Sequence, residues 1–145
     1  MKITNRKAFF DFEVLERFEA GINLIGAEVK AIKLGMADLT GSFVRIIGSE
    51  TYLLNAKVLP YKYARPQDYD EKRTRKLLLH KREIVAIKSK MESSNLTLVP
   101  LSMYVKDGFI KLEVALGKGK KKYQKKESIK KKDLQREIEI ELAEK

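Results

Sequence analysis

The Asp107-Gly108 pair, set between two β-rich runs, constrains this chain more than any other feature. After it, Ile110, Leu112, Val114 and Leu116 occupy every second position. That is the period of a strand with one buried face. Before it, Leu96–Val105 is a second run of the same kind. An Asp-Gly turn supplies the positive φ angles that a tight hairpin needs. Pro100 lacks an N–H and therefore marks an edge or a bulge in that run.

The same logic extends upstream. Phe43–Ile47 and Tyr52–Leu59 read as two strands joined across Gly48-Ser49-Glu50. Phe10, Phe12 and Val14 alternate with Asp11 and Glu13, which predicts another strand. Glu19-Ala20-Gly21 predicts a bend or bulge before Ile22–Ile25. One segment has a different period. From Arg75 to Ser93, the residues Leu77, Leu78, Ile84, Val85 and Met91 recur at helical spacing, and Ser93-Ser94-Asn95 ends the pattern. A helix is expected over 75–93, with a second short one over Glu28–Lys33. Together these elements predict a mainly β fold with flanking helices. The expected form is a closed antiparallel β-barrel of the oligonucleotide-binding type, which leaves no strand edge exposed. With 145 residues, the chain holds one domain with a real core, expected over residues 1–117.

Charge separates that body from the end of the chain. Residues 118–132 hold nine lysines and one acid, Glu127. Residues 133–145 hold five acids and two bases. Gly117-Lys118-Gly119-Lys120-Lys121-Lys122 is basic and expected to be flexible, because crowded lysines repel one another. Leu134, Ile138 and Leu142 share one helix face. A helix of ~12–15 residues is marginal in isolation, so residues 118–145 read as a basic tail that becomes helical on a partner.

The net charge of +11 and a pI near 9.7 call for a polyanionic partner. Nucleic acid is the usual one, and an anionic membrane surface is the competitor. No apolar run reaches the ~20 residues needed to span a bilayer, and the N-terminus has no signal-peptide pattern. A cytoplasmic protein is expected. There are no cysteines and one histidine, so neither a disulfide framework nor a zinc site is expected. His80 has no partner at catalytic spacing, and the carboxylates are scattered among lysines. No catalytic residue, metal or cofactor is read from the chain.

Phosphate neutralisation by the lysine run binds any nucleic acid; a solvating tail would look the same. Gly117–Lys122 lacks the spacer and Lys-Ser/Thr ending of a P-loop. Phe9, Phe10, Phe12 and Phe18 either stack on bases or fill the core, and alternation favours the core. Tyr61, Tyr63 and Tyr69, set among Lys62, Arg65 and Pro66, are surface-recognition candidates that packing would explain equally well.

Three groups of motifs carry the reading further. They are Asn5-Arg6-Lys7-Ala8 with Phe18-Glu19-Ala20-Gly21-Ile22 and Gly26-Ala27-Glu28-Val29-Lys30; Arg73-Thr74-Arg75-Lys76-Leu77-Leu78-Leu79; and Leu101-Ser102-Met103-Tyr104 with Gly117-Lys118-Gly119-Lys120-Lys121. In order and spacing they resemble the SmpB (SsrA-binding protein) family over nearly the whole chain. The resemblance implies a non-enzymatic protein that binds the transfer-RNA-like domain of transfer-messenger RNA. It implies delivery of that RNA, with elongation factor Tu and GTP, to stalled ribosomes for trans-translation. A monomer is expected. A generic single-stranded RNA-binding or ribosome-associated barrel is the alternative, and a scaffold whose tail docks an acidic protein is a third class.

By the same resemblance, Glu19, Leu78 and Lys111 match RNA-binding positions. Arg73, Arg75, Lys76, Lys118, Lys120 and Lys121 add cations. Lys111 suits a phosphate. Glu19 suits a base edge, a ribose hydroxyl or a neighbouring arginine. Leu78 either touches an unstacked base or positions the segment. In the tail, Lys122, Tyr123, Lys125, Lys126, Ile129, Lys130 and Lys132 match the element that probes the decoding centre and the empty messenger channel. Gln124 stands where the family commonly has an acid.

Overall fold

The strictest alternation in the sequence becomes the longest hairpin. In the computed structural model, which describes residues 2–61, 69–121 and 125, the chain begins with β1 (Lys2–Thr4), α1 (Arg6–Asp11), β2 (Phe12–Ile22) and α2 (Gly26–Lys33). It continues through β3 (Ala37–Asp38), β4 (Phe43–Ile47), β5 (Glu50–Leu54), β6 (Lys57–Val58) and β7 (Arg75–Leu78). Helix α3 (Lys81–Ser94) leads to β8 (Thr97–Lys106) and β9 (Phe109–Gly119). Lys106 pairs with Phe109 across Asp107, at φ 53°, and Gly108, at φ 80°. Two consecutive left-handed residues match the twist of the strands they join.

Seven strands form one antiparallel sheet in the order β1-β8-β9-β2-β7-β5-β4, while β3 and β6 make a separate pair. The expected closed barrel is corrected by this order, because β1 and β4 remain the ends of the ladder. β4 does pack back towards β8, but no ladder joins the two among the described residues, and the edge of β8 from Pro100 to Tyr104 is already taken. β1 pairs with Ser102–Tyr104, Asn5 donates its backbone N–H to the Leu101 carbonyl at 2.7 Å, and its side-chain amide donates to the Pro100 carbonyl at 2.9 Å.

The register of β8 shifts between Pro100 and Ser102, as a proline in that strand predicts. The bulge changes which residues face inward. Leu98 and Met103 join the main core with Ala20, Leu53, Leu77, Ile87, Leu112 and Val114. Val99 and Leu101 instead join Ala115 and Ala8 in a smaller cluster, where Phe9 and Phe12 pack. Phe18 packs on the main core. Core filling is therefore the role of Phe9, Phe12 and Phe18.

Several boundaries differ from expectation. The helix over 75–93 splits, because Arg75–Leu78 is strand β7. Arg75 and Leu77 face inward there, and Lys76 and Leu78 face outward. Four residues of alternation are too few to stand out against Ile84 and Met91 at helical spacing. Val85, counted on the buried face, is exposed. Asn95 at φ 52° ends α3 as a left-handed cap. The bulge in β2 falls between Val14 and Glu16, and Glu19–Gly21 keep regular register with Glu113–Lys111. Phe10 lies in α1, whose N-terminus is capped by the Asn5 side chain accepting from the Ala8 N–H at 3.3 Å. Finally, β9 continues past 117. Lys118 pairs with Glu13 and Gly119 with Phe12, so the sheet takes in the first two residues assigned to the tail.

Candidate nucleic-acid interface

Residues directly opposite one another in an antiparallel ladder share a face. Leu78 on β7 is opposite Gly21 on β2, Gly21 is opposite Lys111 on β9, Lys111 is opposite Tyr104 on β8, and Tyr104 is opposite Lys2 on β1. One row across five strands thus carries two cations, a phenol and a leucine on the outer face of the sheet. Glu19 lies two residues from Gly21 on that face. The row draws together Glu19, Leu78 and Lys111, which are separated in sequence by 59 and then 33 residues.

Gly21 sets the local shape. A Cβ added there would lie 3.2 Å from the Leu78 Cβ, so glycine lets Leu78 pack closer over β2 than a larger residue would. Leu78 is nevertheless 56% exposed. A shallow depression of about 350 Å³ opens beside it, lined by Glu19, Gly21, Leu78, His80 and Lys111 among others. His80 sits at its rim, immediately before α3, where its backbone N–H reaches Glu83 at 3.4 Å.

Glu19 is held rather than free. Tyr104 donates to its Oε2 at 2.5 Å, and Lys106 Nζ lies 3.3 Å from the same oxygen. The Tyr104 hydrogen bond, helped by Lys106 and Lys111 against partial desolvation, holds the Glu19 carboxyl below the ordinary range. Burial, then the hydrogen bond to Glu19, pushes the Tyr104 phenol up. The result is a carboxylate of fixed orientation beside two lysines. It can accept hydrogen bonds from a base edge or ribose while the lysines meet phosphates. Sequence reasoning missed Tyr104 and Lys106 as parts of this site. Their signal was the alternation that puts 104 and 106 on one face of β8.

The arginines do something else. Arg75 is fully buried, and its guanidinium is spent inside the protein. Nε donates to Glu28 Oε2 at 2.6 Å, one terminal nitrogen donates to the Ala56 and Arg73 carbonyls at 2.9 Å, and the other donates to the Glu71 carbonyl at 3.1 Å. The expectation that Arg75 faces RNA is corrected: it points inward from β7 and has no surface to offer. Arg73 donates to Glu28 Oε1 at 2.5 Å and stays partly exposed. Glu28 is also fully buried and accepts from the Ile25 N–H at 3.0 Å. Burial alone would raise the Glu28 carboxyl, but the hydrogen bonds from Arg73, Ile25 and Arg75 outweigh it and hold it down. Lys76 lies on the outer face, opposite Tyr52 and 3.0 Å from Glu50.

The remaining cations gather at the other end of β9. Lys118 and Lys121 are exposed. Lys120 donates from Nζ to the Phe9 carbonyl at 3.2 Å and from its backbone to the Asp11 carbonyl at 2.8 Å. Lys125 Nζ is 3.3 Å from Asp11 and 5.8 Å from the Phe10 ring centroid. Lys122, Tyr123, Gln124, Lys126, Ile129, Lys130 and Lys132 lie outside the described residues, as do Lys62, Tyr63, Arg65 and Pro66. Tyr69 donates to the Val58 carbonyl at 2.9 Å, a packing role, and Tyr61 has Lys30 5.5 Å from its ring.

Among the described residues, no group of three or more His, Cys, Asp or Glu side chains is placed to hold a metal, and no helix is long and apolar enough to cross a membrane.

Residues 2–144 match the family described as SmpB protein. The chain is 50% identical over 136 residues to the SsrA-binding protein of Sulfurihydrogenibium sp. (strain YO3AOP1), covering 94% of this chain and 90% of that one. It is 46% identical over 135 residues to the SsrA-binding protein of Persephonella marina, covering 93% and 89%. Its fold is similar to a solved chain from "tmRNA-SmpB: a journey to the center of the bacterial ribosome", with a TM-score of 0.69 at 44% identity, covering 83% of this chain and 85% of that one.

Proposed function

Since this chain belongs to the SmpB family, we propose that it binds the transfer-RNA-like domain of transfer-messenger RNA and is required to deliver that RNA to stalled ribosomes in trans-translation. The observation that carries this reading is the outer-face row through Leu78, Gly21, Lys111 and Tyr104 beside a Glu19 carboxylate already fixed by Tyr104 and Lys106. A surface built only to neutralise phosphate has no use for a held carboxylate, which repels the backbone. A surface that reads a folded RNA does, because acceptors select base edges and hydroxyls. With β4 packed back towards β8, the sheet serves as a partly open barrel of the oligonucleotide-binding type.

The work divides along β9. The Glu19–Leu78–Lys111 face takes the RNA. The lysines from Lys118 onward, with Tyr123, Lys125, Lys126, Ile129, Lys130 and Lys132, take the decoding centre and empty messenger channel of the ribosome. Elongation factor Tu with GTP enters through the aminoacylated RNA. The protein acts in the cytoplasm as a monomer and changes no bond itself.

The test is equilibrium binding at ~150 mM salt, where exposed charges are screened beyond ~8 Å, with ordinary transfer RNA and a random RNA of equal length as competitors. Selective binding to the transfer-RNA-like domain is expected. Equal competition by all three would reduce the protein to a generic single-stranded RNA-binding or ribosome-associated protein.

A further inference from the structure

Phe109 is the most exposed large apolar side chain among the described residues, at 70%. It is also held in place. It is the first residue of β9, opposite Lys106 and directly after the two left-handed turn residues Asp107 and Gly108. A two-residue turn of this kind leaves the hairpin tip little freedom. In the alternation of β9, Ile110 is buried and Phe109 and Lys111 share the outer face. The ring is therefore displayed on the same face as the Glu19, Leu78 and Lys111 row, one step beyond it.

What surrounds the ring narrows its partner. Lys111 Nζ lies 6.0 Å from the ring centroid, and Lys106 faces Phe109 across the hairpin. A cleft of about 230 Å³ opens against it, walled by Leu24, Leu78 and Ile110 and edged by Asn23. Asn23 is fixed by its backbone, donating to the Lys76 carbonyl at 2.9 Å and accepting from Arg73 at 3.4 Å. Its side-chain amide makes no hydrogen bond to the described residues. A flat ring, an apolar wall, a side-chain amide and flanking lysines suit one kind of occupant. That occupant is an unpaired nucleobase, with its face on the ring, its edge on the amide and its phosphates near the lysines. An apolar protein segment would gain from the walls but would leave the cations and the amide unmatched.

We propose that Phe109 is a base-stacking residue, receiving one splayed-out nucleobase of the bound RNA in the cleft between its ring, Leu78 and Asn23. This inference rests on the RNA-binding reading above and adds a specific contact to it.

Two substitutions test it. Phe109→Leu keeps an apolar side chain and removes the aromatic face. Phe109→Trp enlarges that face and introduces the chain's sole tryptophan, since the sequence has none. Stacking is lost in the leucine variant, so its affinity for the transfer-RNA-like RNA falls roughly ten- to a hundredfold, with the thermal midpoint unchanged. The slope of affinity against salt also stays the same, because no phosphate contact is removed. Phe109→Trp retains affinity, and its tryptophan emission is quenched as the RNA saturates the protein. Unchanged affinity in Phe109→Leu, or unchanged emission in Phe109→Trp at saturation, overturns the stacking role while selective binding by the unsubstituted protein leaves the proposed function standing. Failure of the unsubstituted protein to discriminate between RNAs brings both down.

Discussion

Tyr104 on β8 reaches over β9 to donate its phenolic hydrogen to Glu19 on β2 at 2.5 Å. The hydrogen bond turns an outer-face glutamate into an acceptor of fixed direction. It is also the main reason the Glu19 carboxyl is held below the ordinary glutamate value. In Tyr104→Phe the carboxyl should titrate nearer the ordinary glutamate value of 4.5. Because the carboxyl is held down in the intact protein, its charge persists as the pH falls through 4.5 and is lost only below it. Carboxyl-carbon NMR titration reads the midpoint directly. Affinity for the transfer-RNA-like domain should fall about tenfold in the variant, the scale of one hydrogen bond to a charged group. An unmoved midpoint would remove Tyr104 from the site.

Gly21 and Leu78 make a second coupled pair. Gly21→Ala places a Cβ 3.2 Å from the Leu78 Cβ, and backbone-anchored atoms cannot swing aside. The strands must part by a few tenths of an ångström, at a cost of about 1 kcal/mol. Gly26→Ala, whose new Cβ meets nothing within 4 Å, is the control and should be neutral or slightly stabilising. Denaturant midpoints compare the two. RNA affinity should drop in Gly21→Ala alone, since only that change displaces Leu78.

The buried Glu28 carboxylate joins α2 to β7 through Arg75 and to the preceding turn through Arg73. Glu28→Gln removes the charge and leaves the Arg75 guanidinium buried without its counter-ion, which should cost about 3–5 kcal/mol. The sign with pH follows from the lowered folded-state value. The unfolded chain binds the proton first, so this stabilisation is full at neutral pH and is lost as the pH falls from 4.5 through the folded value. The stability gap between the unsubstituted protein and Glu28→Gln, from denaturation at a series of pH values, should therefore shrink on acidification. A constant gap would mean that the carboxylate's charge contributes nothing.

How far the sequence alone reaches depends on the length of each pattern. The β8–β9 hairpin was legible because its alternation is long and Asp107-Gly108 marks the turn. Arg75–Leu78 was not, because four residues of period two were absorbed into a neighbouring helical pattern. Arg75, named among the RNA-binding cations, is buried against Glu28 by the register of that strand. Glu28 itself stands in a short run of apolar residues, which is the local signal for a buried acid. Its partners, however, lie more than forty residues away. Open or closed edges were beyond reach for a similar reason. Part of the β8 edge is taken by Asn5, which donates to the Pro100 and Leu101 carbonyls, a contact no local pattern announces.

The two charged ends of β9 should separate by mutation. Lys111 and Gly119 are eight residues apart on one strand, roughly 26 Å at the usual rise. A truncation meant to remove only the tail has to spare Gly119, which pairs with Phe12, and Lys120, whose backbone donates to Asp11. Ending the chain after Lys121 meets that requirement. This truncated protein should bind the transfer-RNA-like domain at ~150 mM salt with nearly full affinity, because the remote lysines add only screened, long-range attraction. It should support no tagging of stalled chains in a reconstituted translation assay. Lys111→Ala should do the reverse at the level of binding. Its affinity should fall, and the slope of log affinity against log salt should decrease by about one for the phosphate contact removed. If the truncation lost RNA affinity as severely as Lys111→Ala, the two ends of β9 would form one continuous interface and the proposed division between RNA and ribosome would be wrong.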